Sequence, residues 1–334
     1  ARGPATRHAA MSGDWRPAAS LEVLRGRAAM LARIRAYFAA QGVPEVQTPV
    51  LSLAAVSDPA IESIAALTAR GERLYLHSSP EYPMKRLLAA GFGDCYQFCP
   101  VFRDGEAGRL HNPEFTMIEW YRLDFGMAEM QHDVDRVLRV ACAELRDFPP
   151  ARFVSYHGAI QEVCGLDCRS AGPAEIRAAI AARGLEVAAA EAWNLDAWLD
   201  LLMGAVVGPA LGHDAPVFVE DYPPSQAALS RLREEPDGTR VAERFELYVD
   251  GLELANGFRE LGDPVEQRHR FERDLAQRRA RGQPQHPLDE RLLAALAQGL
   301  PDCAGVALGF DRLVMAAHRL PTLEAAMAFP AGRA

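Results

Sequence analysis

The chain has 334 residues, 49% hydrophobic and 24% charged, with a net charge of −9 and an isoelectric point near 5.6. This is ample for a large buried core, and the acidic balance is the opposite of the basic footprint of a protein that grips a nucleic-acid backbone. No uncharged apolar run approaches the roughly 18 residues of a membrane span and no signal peptide opens the chain, so no membrane association and a cytoplasmic location are expected.

In chain order, residues 1–14 are basic and small-residue-rich, a tail expected to be disordered. Ser20 can cap a helix whose Leu24, Ala28, Leu31 and Phe38 fall on one side and which Gly42 terminates. Val43 to Pro49 then forms a turn. Ser79-Pro80-Glu81 reads by itself as a cap for a helix from Tyr82 to Leu88. Cys95 to Phe102 reads as a strand, a glycine-bearing loop follows, and a second strand opens at Glu114, the two forming a long hairpin. In that second strand Phe115, Met117, Glu119 and Tyr121 share one face. The pairs Cys95/Cys99 and Cys164/Cys168 lack the spacing of a zinc knuckle and read as core residues in a reducing compartment. Residues 150–215 are rich in alanine and leucine and read as helical core packing or a dimer-proximal insertion. Asp250-Gly251 signals a two-residue hairpin in which Tyr248 pairs with Glu253 and Glu246 with Ala255, so that Glu246 and Glu253 project from one face. Two adjacent carboxylates there read either as a solvated acidic strand face or as a site for magnesium. Gly305 to Gly309 reads as a glycine-rich strand entering a helix that Asp311 can cap, with Arg312 beside an anion-ready N-terminus.

Together these segments resemble class II aminoacyl-tRNA synthetases of the lysyl type. Phe102-Arg103, His111-Asn112-Pro113-Glu114-Phe115-Thr116, Glu119 and Tyr121 match motif 2. Gly305 to Leu313 matches motif 3, and Val43 to Pro49 matches the dimer-forming motif 1. Arg244-Phe245-Glu246, Glu253, Asn256-Gly257-Phe258 and Glu260 match the remaining lysyl-type segment. A narrower likeness is to the ligases of elongation factor P, which have the same core without an anticodon-binding domain. Trp15-Arg16-Pro17, Glu119-Trp120-Tyr121-Arg122 and Ser225-Gln226-Ala227 carry it, and only about forty residues precede motif 1, too few for that RNA-binding domain.

The resemblance implies an α+β fold, an antiparallel sheet flanked by helices, in one catalytic domain over residues 15–325 with a C-terminal tail at 326–334. It implies a homodimer that forms an adenylate from ATP, with magnesium, and lysine or β-lysine. Its lysyl group is then transferred to the ε-amine of a lysine of elongation factor P, with AMP leaving and no tRNA expected. Arg103 and Arg312 would be catalytic. Asp104, Gly105, Asn112, Phe115, Glu253, Leu254 and Gly309 would join them on ATP. Ser79, Pro80, Glu81, Glu119, Tyr121, Asn256, Glu260 and Ala307 would hold the amino acid, and Glu246 and Glu253 the metal. There are two departures. Ala307 stands where lysyl-tRNA synthetases usually have glycine, and Gly105 where glutamate is usual, with Glu106 following. A truncated lysyl-tRNA synthetase and a non-catalytic regulatory paralogue are the alternatives.

Overall fold

In the computed structural model, which describes residues 15–185, 187 and 193–334, the chain first forms helix α1 (Leu21–Ala40), whose N-terminus Ser20 caps by accepting from the Val23 amide. Gly42 leaves the helix at φ +71°, a conformation glycine adopts without strain. The buried stripe of α1 is Val23, Met30, Ile34 and Phe38; Leu24 and Leu31 only flank it and Ala28 is exposed, so the apolar face is rotated from the expected one. The expected tail at 1–14 lies outside the described residues.

A small sheet follows, β1 (Leu51–Ser52), β2 (Ala65–Leu67) and β3 (Arg73–Leu76), in the order β1-β3-β2. Helix α2 (Glu81–Ala89) leads into the long hairpin of β4 (Cys95–Phe102) and β5 (Glu114–Leu123), paired from Cys95 with Tyr121 to Phe102 with Glu114. After α3 (Met127–Cys142) come β6 (Arg152–Ser155), α4 (Tyr156–Cys164), α5 (Pro173–Ala181) and α6 (Leu195–Leu202). The chain continues through β7 (Val217–Tyr222), β8 (Leu232–Glu234), β9 (Arg240–Val249), β10 (Leu252–Arg259), α7 (Pro264–Ala280), α8 (Glu290–Gln298), β11 (Cys303–Gly309) and α9 (Phe310–His318).

The main sheet has eight strands in the order β4-β5-β11-β10-β9-β7-β6, with β8 on β9. All its pairs are antiparallel except β6–β7. This is the expected α+β architecture. Alternation along the strands gives each face its own task. The back face sends Ile118, Trp120, Val306, Leu308, Phe245 and Leu247 into a core with α1, α3 and α9. At the far end of the front face, Val217, Val219, Ala242 and Tyr248 pack with Tyr156, Ile160, Ile176, Trp198 and Leu202. The described residues of 150–215 thus supply the packing of a second cluster, which walls one side of the front face. The other half of that face, over β5, β11 and β10, is left for polar side chains.

Three expectations about local geometry change. Asp250 and Gly251 do form the turn, both at positive φ (52° and 73°), but a bulge between Glu253 and Ala255 shifts the ladder so that Glu246 faces Asn256 rather than Ala255. Glu253 still pairs with Tyr248 ahead of the bulge, so Glu246 and Glu253 share a face, and the extra residue brings Asn256 onto that face as well. Asp311 does not cap α9. Gly309 is the cap residue, and the Asp311 carboxylate instead accepts from the Thr116 amide and pairs with Arg27, tying α9 to β5 and α1. Residues 326–334 are no free tail: Ala326 is fully buried, Ala18 and Ala19 donate to Ala328 and Met327, and the Ala331 amide donates to Asn112.

Candidate active site

Register brings the site together. On β5, Glu119 stands opposite Ala307 and Tyr121 opposite Gly305 of β11, while Asn256 of β10 flanks Ala307 from the other side. These side chains, with Ser79, Glu81 and Glu260, line one end of a cleft of about 300 Å³. Arg103, His111, Asn112, Phe115, Glu253, Leu254, Gly309 and Arg312 line the same cleft.

The acidic end is nearly dry. Glu119 is 2% exposed; one oxygen accepts from the Tyr121 hydroxyl and the other from the Ser79 hydroxyl, each at 2.6 Å. Burial, reinforced by neighbouring Glu81, pushes its carboxyl up to about 8. Ser79 also accepts from the Glu81 amide at 3.0 Å at the start of α2, while Ser79 and Glu81 line the cleft. Pro80 is the cap residue of α2 and does not line the cleft. Lys85, 1% exposed, sits 2.6 Å from both Glu81 and Glu260. Burial opposes its charge, but Glu260 and Glu81 outweigh that and hold it above its ordinary value. Glu260, also 1% exposed, is pushed up to about 7 by burial against the opposing pull of Lys85. Gly305 makes this packing possible. A Cβ there would lie 2.3 Å from the Tyr121 ring and 2.4 Å from Glu260. Asn256 presents a buried Oδ1 with no protein partner.

The cationic end is built on the hairpin loop and α9. The Arg103 guanidinium lies over the Phe115 ring at 5.1 Å, 3.6 Å from Glu106, with its buried Nε unpartnered. Arg312 donates to the Glu253 carbonyl at 2.9 Å, pairs with the Glu253 carboxylate at 3.7 Å and reaches His111 Nε2 at 2.9 Å. Burial and then Arg312 push His111 down, so it stays neutral and can accept from Arg312. Arg244, which sequence reasoning quoted without a role, also lines the cleft, stacks on Tyr222 and donates to Glu246 at 2.6 Å.

Several expected site residues are placed differently. Asp104 and Gly105 are exposed and lie outside the cleft; Asp104 accepts from the Gly105 amide, and Glu106 lines the cleft instead. Asn112 lines it, but its amide already donates to the Glu114 carbonyl and accepts from Ala331. Glu246 does not line it, because its oxygens accept from Arg244 and from the Tyr248 hydroxyl, both at 2.6 Å. Glu253 does, with 41% of its side chain open to the cleft; the enclosure of the cleft walls and then the neighbouring Glu246 raise its carboxyl. Among the described residues no group of three or more His, Cys, Asp or Glu side chains is arranged to hold a metal. Sequence reasoning missed Lys85, whose spacing of four from Glu81 on one helix was the available signal. It also missed Ser57, Asp58, Gln267 and Asp274, which line the cleft from outside any motif.

The chain matches known proteins along nearly its whole length. The family described as tRNA synthetases class II (D, K and N) matches residues 5–333. Proteins named elongation factor P--(R)-beta-lysine ligase from Salmonella gallinarum, Salmonella paratyphi B and Salmonella schwarzengrund are each 46% identical over 328 residues, covering 97% of this chain and 99% of the relative. With the sheet, the hairpin arginine and the glycine-rich strand in place, the chain belongs to the class II tRNA synthetase family of the D, K and N type.

Proposed function

We propose that this protein activates (R)-β-lysine, or lysine, with ATP and joins it to the ε-amine of a lysine of elongation factor P. The observation that carries the reading is one cleft with an arginine-lined end and a carboxylate-lined end, which suits a nucleotide triphosphate beside an amino acid bearing amines. The names of the relatives supply the acceptor. The orphaned Arg103 Nε, the Arg312 side chain and the uncapped first turn of α9 fit phosphate oxygens.

In the first step a carboxylate oxygen attacks the α-phosphorus and pyrophosphate leaves. Arg103 steadies the charge shared by carboxylate and phosphate, Arg312 holds the terminal phosphate, and Phe115 offers a stacking face. Leu254 and Gly309 complete the nucleotide wall. In the second step the acceptor amine, once deprotonated, attacks the activated carbonyl; a new amide forms and AMP leaves. Magnesium, when bound, would neutralise the phosphates. Glu253 is the open carboxylate for it, and Glu246 keeps only the acceptor capacity left by Arg244 and Tyr248. Glu81, Glu119, Tyr121, Asn256 and Glu260 receive the amine side of the substrate. Ala307, between Glu119 and Asn256, adds a methyl to the pocket floor and favours β-lysine over α-lysine, an effect of about 1–3 kcal/mol. The motif 1 segment supports a homodimer, and the cytoplasm is the proposed location.

The test incubates the protein with ATP, magnesium, each lysine isomer and either elongation factor P or tRNA, then weighs the products. A labelled factor supports the proposal; charged tRNA with unmodified factor overturns it. An Ala307→Gly variant whose relative activation of the two isomers is unchanged in pyrophosphate exchange would remove the role given to Ala307.

A further inference from the structure

A second hollow, of about 410 Å³, lies beyond the cationic end of the cleft. It shares no lining residue with the cleft, but its walls are neighbouring residues of the same elements. Arg109 precedes Leu110 in the hairpin loop, Leu252 precedes Glu253 on β10, and Ala316 lies one turn past Arg312 on α9. Three arginines line the hollow, Arg109, Arg146 and Arg319, beside His213 and a single carboxylate, Asp250. Three positive charges thus face one negative charge there, on a chain whose net charge is −9.

Capping accounts for part of this set. Arg146 pairs with Asp250 through both guanidinium ends and donates to the Ala316 carbonyl at 3.0 Å, while Arg109 donates to the Pro321 carbonyl at 3.2 Å. These bonds satisfy carbonyls at and just past the end of α9. Arg319 has no such explanation. It sits at the C-cap with φ +53° and ψ 45°, the left-handed conformation that glycine adopts freely and arginine adopts under strain. Only its backbone amide serves the cap, by donating to the Ala316 carbonyl, and glycine would supply the same amide. Its side chain is exposed, with no hydrogen-bond or ion-pair partner among the described residues. An unpaired arginine held under strain beside two further cations is arranged for an anion.

The hollow has room for more than one phosphate, and the guanidinium forks of Arg109 and Arg319 suit the oxygens of two linked ones. We infer that Arg109, Arg146 and Arg319 form a second anion site, separate from the cleft, that takes a diphosphate or triphosphate group. Free pyrophosphate and the tail of a nucleotide are its two sources. Arg109 and Arg319 supply the open donors, and Arg146, held by Asp250, supplies charge behind them.

Calorimetric titration of the intact protein with pyrophosphate tests the site, at about 0.15 M salt so that diffuse surface attraction is screened. Wild type is expected to bind two equivalents, one in the cleft and one in the hollow. Arg319→Gly should lose the second; glycine fits the left-handed position, so the variant keeps its fold while losing the charge. Arg109→Gln should weaken the same equivalent about tenfold or more, and Arg312→Gln should remove the other. A single equivalent in wild type that Arg319→Gly removes and Arg312→Gln leaves in place also supports the hollow. GTP held there more tightly than pyrophosphate would make a nucleotide the source; the reverse order would make it free pyrophosphate. Pyrophosphate binding unchanged in Arg319→Gly would overturn the site. So would citrate bound as tightly as pyrophosphate, since that marks a general cationic surface.

Discussion

Lys85 neutralises two carboxylates at the bottom of the cleft before any substrate arrives. Replacing it with methionine leaves Glu81 and Glu260 facing each other across a dry space, a loss of about 3–5 kcal/mol expected for breaking a buried pair. Urea unfolding of Lys85→Met measures this. Glu119 works the other way. Its folded carboxyl is raised from the ordinary range to about 8, so the folded state holds a proton that the unfolded chain releases between about pH 4.5 and 8, and stability falls as pH rises through that window. Glu119→Gln removes that dependence. It should be more stable than wild type at pH 8.5 and lose the advantage toward pH 5, while its amino acid KM rises at least about tenfold. Strand alternation placed Glu119 and Tyr121 on one face in the sequence, whereas Asn256 and Glu260 were legible only through the family resemblance. Lys85 was not, because a lysine on an amphipathic helix ordinarily reads as solvated. Asp311 reads as a cap by its position, yet the strand beside it supplies a stronger demand in the free Thr116 amide.

At the scale of elements, the strap 56–62 owes its place to α7. Arg278, fully buried, donates to the carbonyls of Asp58 and Ile61 at 3.0 Å each and pairs with Glu62, whose own carbonyl accepts from Asp104 in the hairpin loop. Arg278→Met should therefore release the strap as a unit. Hydrogen exchange at residues 60–62 and 104 should accelerate while the amides of β5 and β11 keep their protection. Exchange rising equally across the sheet would instead show a general loss of stability. The bulge in β10 is a second element-scale device. The Asp250-Gly251 turn could be read from two residues, but the bulge follows from how β10 meets both β9 and β11, information spread over three strands.

The main sheet of the molecule carries a hydrophobic core on each face. Phe245 and Leu247 of β9 enter the back cluster, while Ala242 and Tyr248 of the same strand enter the front one. Phe245→Ala should cost about 3–5 kcal/mol, since the ring fills the space left by Gly257, whose Cβ would lie 2.4 Å from it. Because the strands are shared, Trp120 and Trp198 fluorescence should report one common transition at the lowered urea midpoint; two separate transitions would show the faces to be independent. The sheet order was beyond reach of the sequence without the resemblance, since β11 enters between β5 and β10 from far along the chain.

That insertion also sets a timetable for synthesis. Cys303 takes its place beside Leu123 only after 180 further residues have been made, and Ser57 meets Asp274 across 217. At ordinary elongation speeds of about 5–20 residues per second, the inner edge of β5 waits roughly 10–40 s for its neighbour. A chain still on the ribosome presents that edge, Met117 to Leu123, with its amides and carbonyls open to any passing strand. The segment that later carries Glu119 and Tyr121 is therefore also where a growing chain most needs a chaperone.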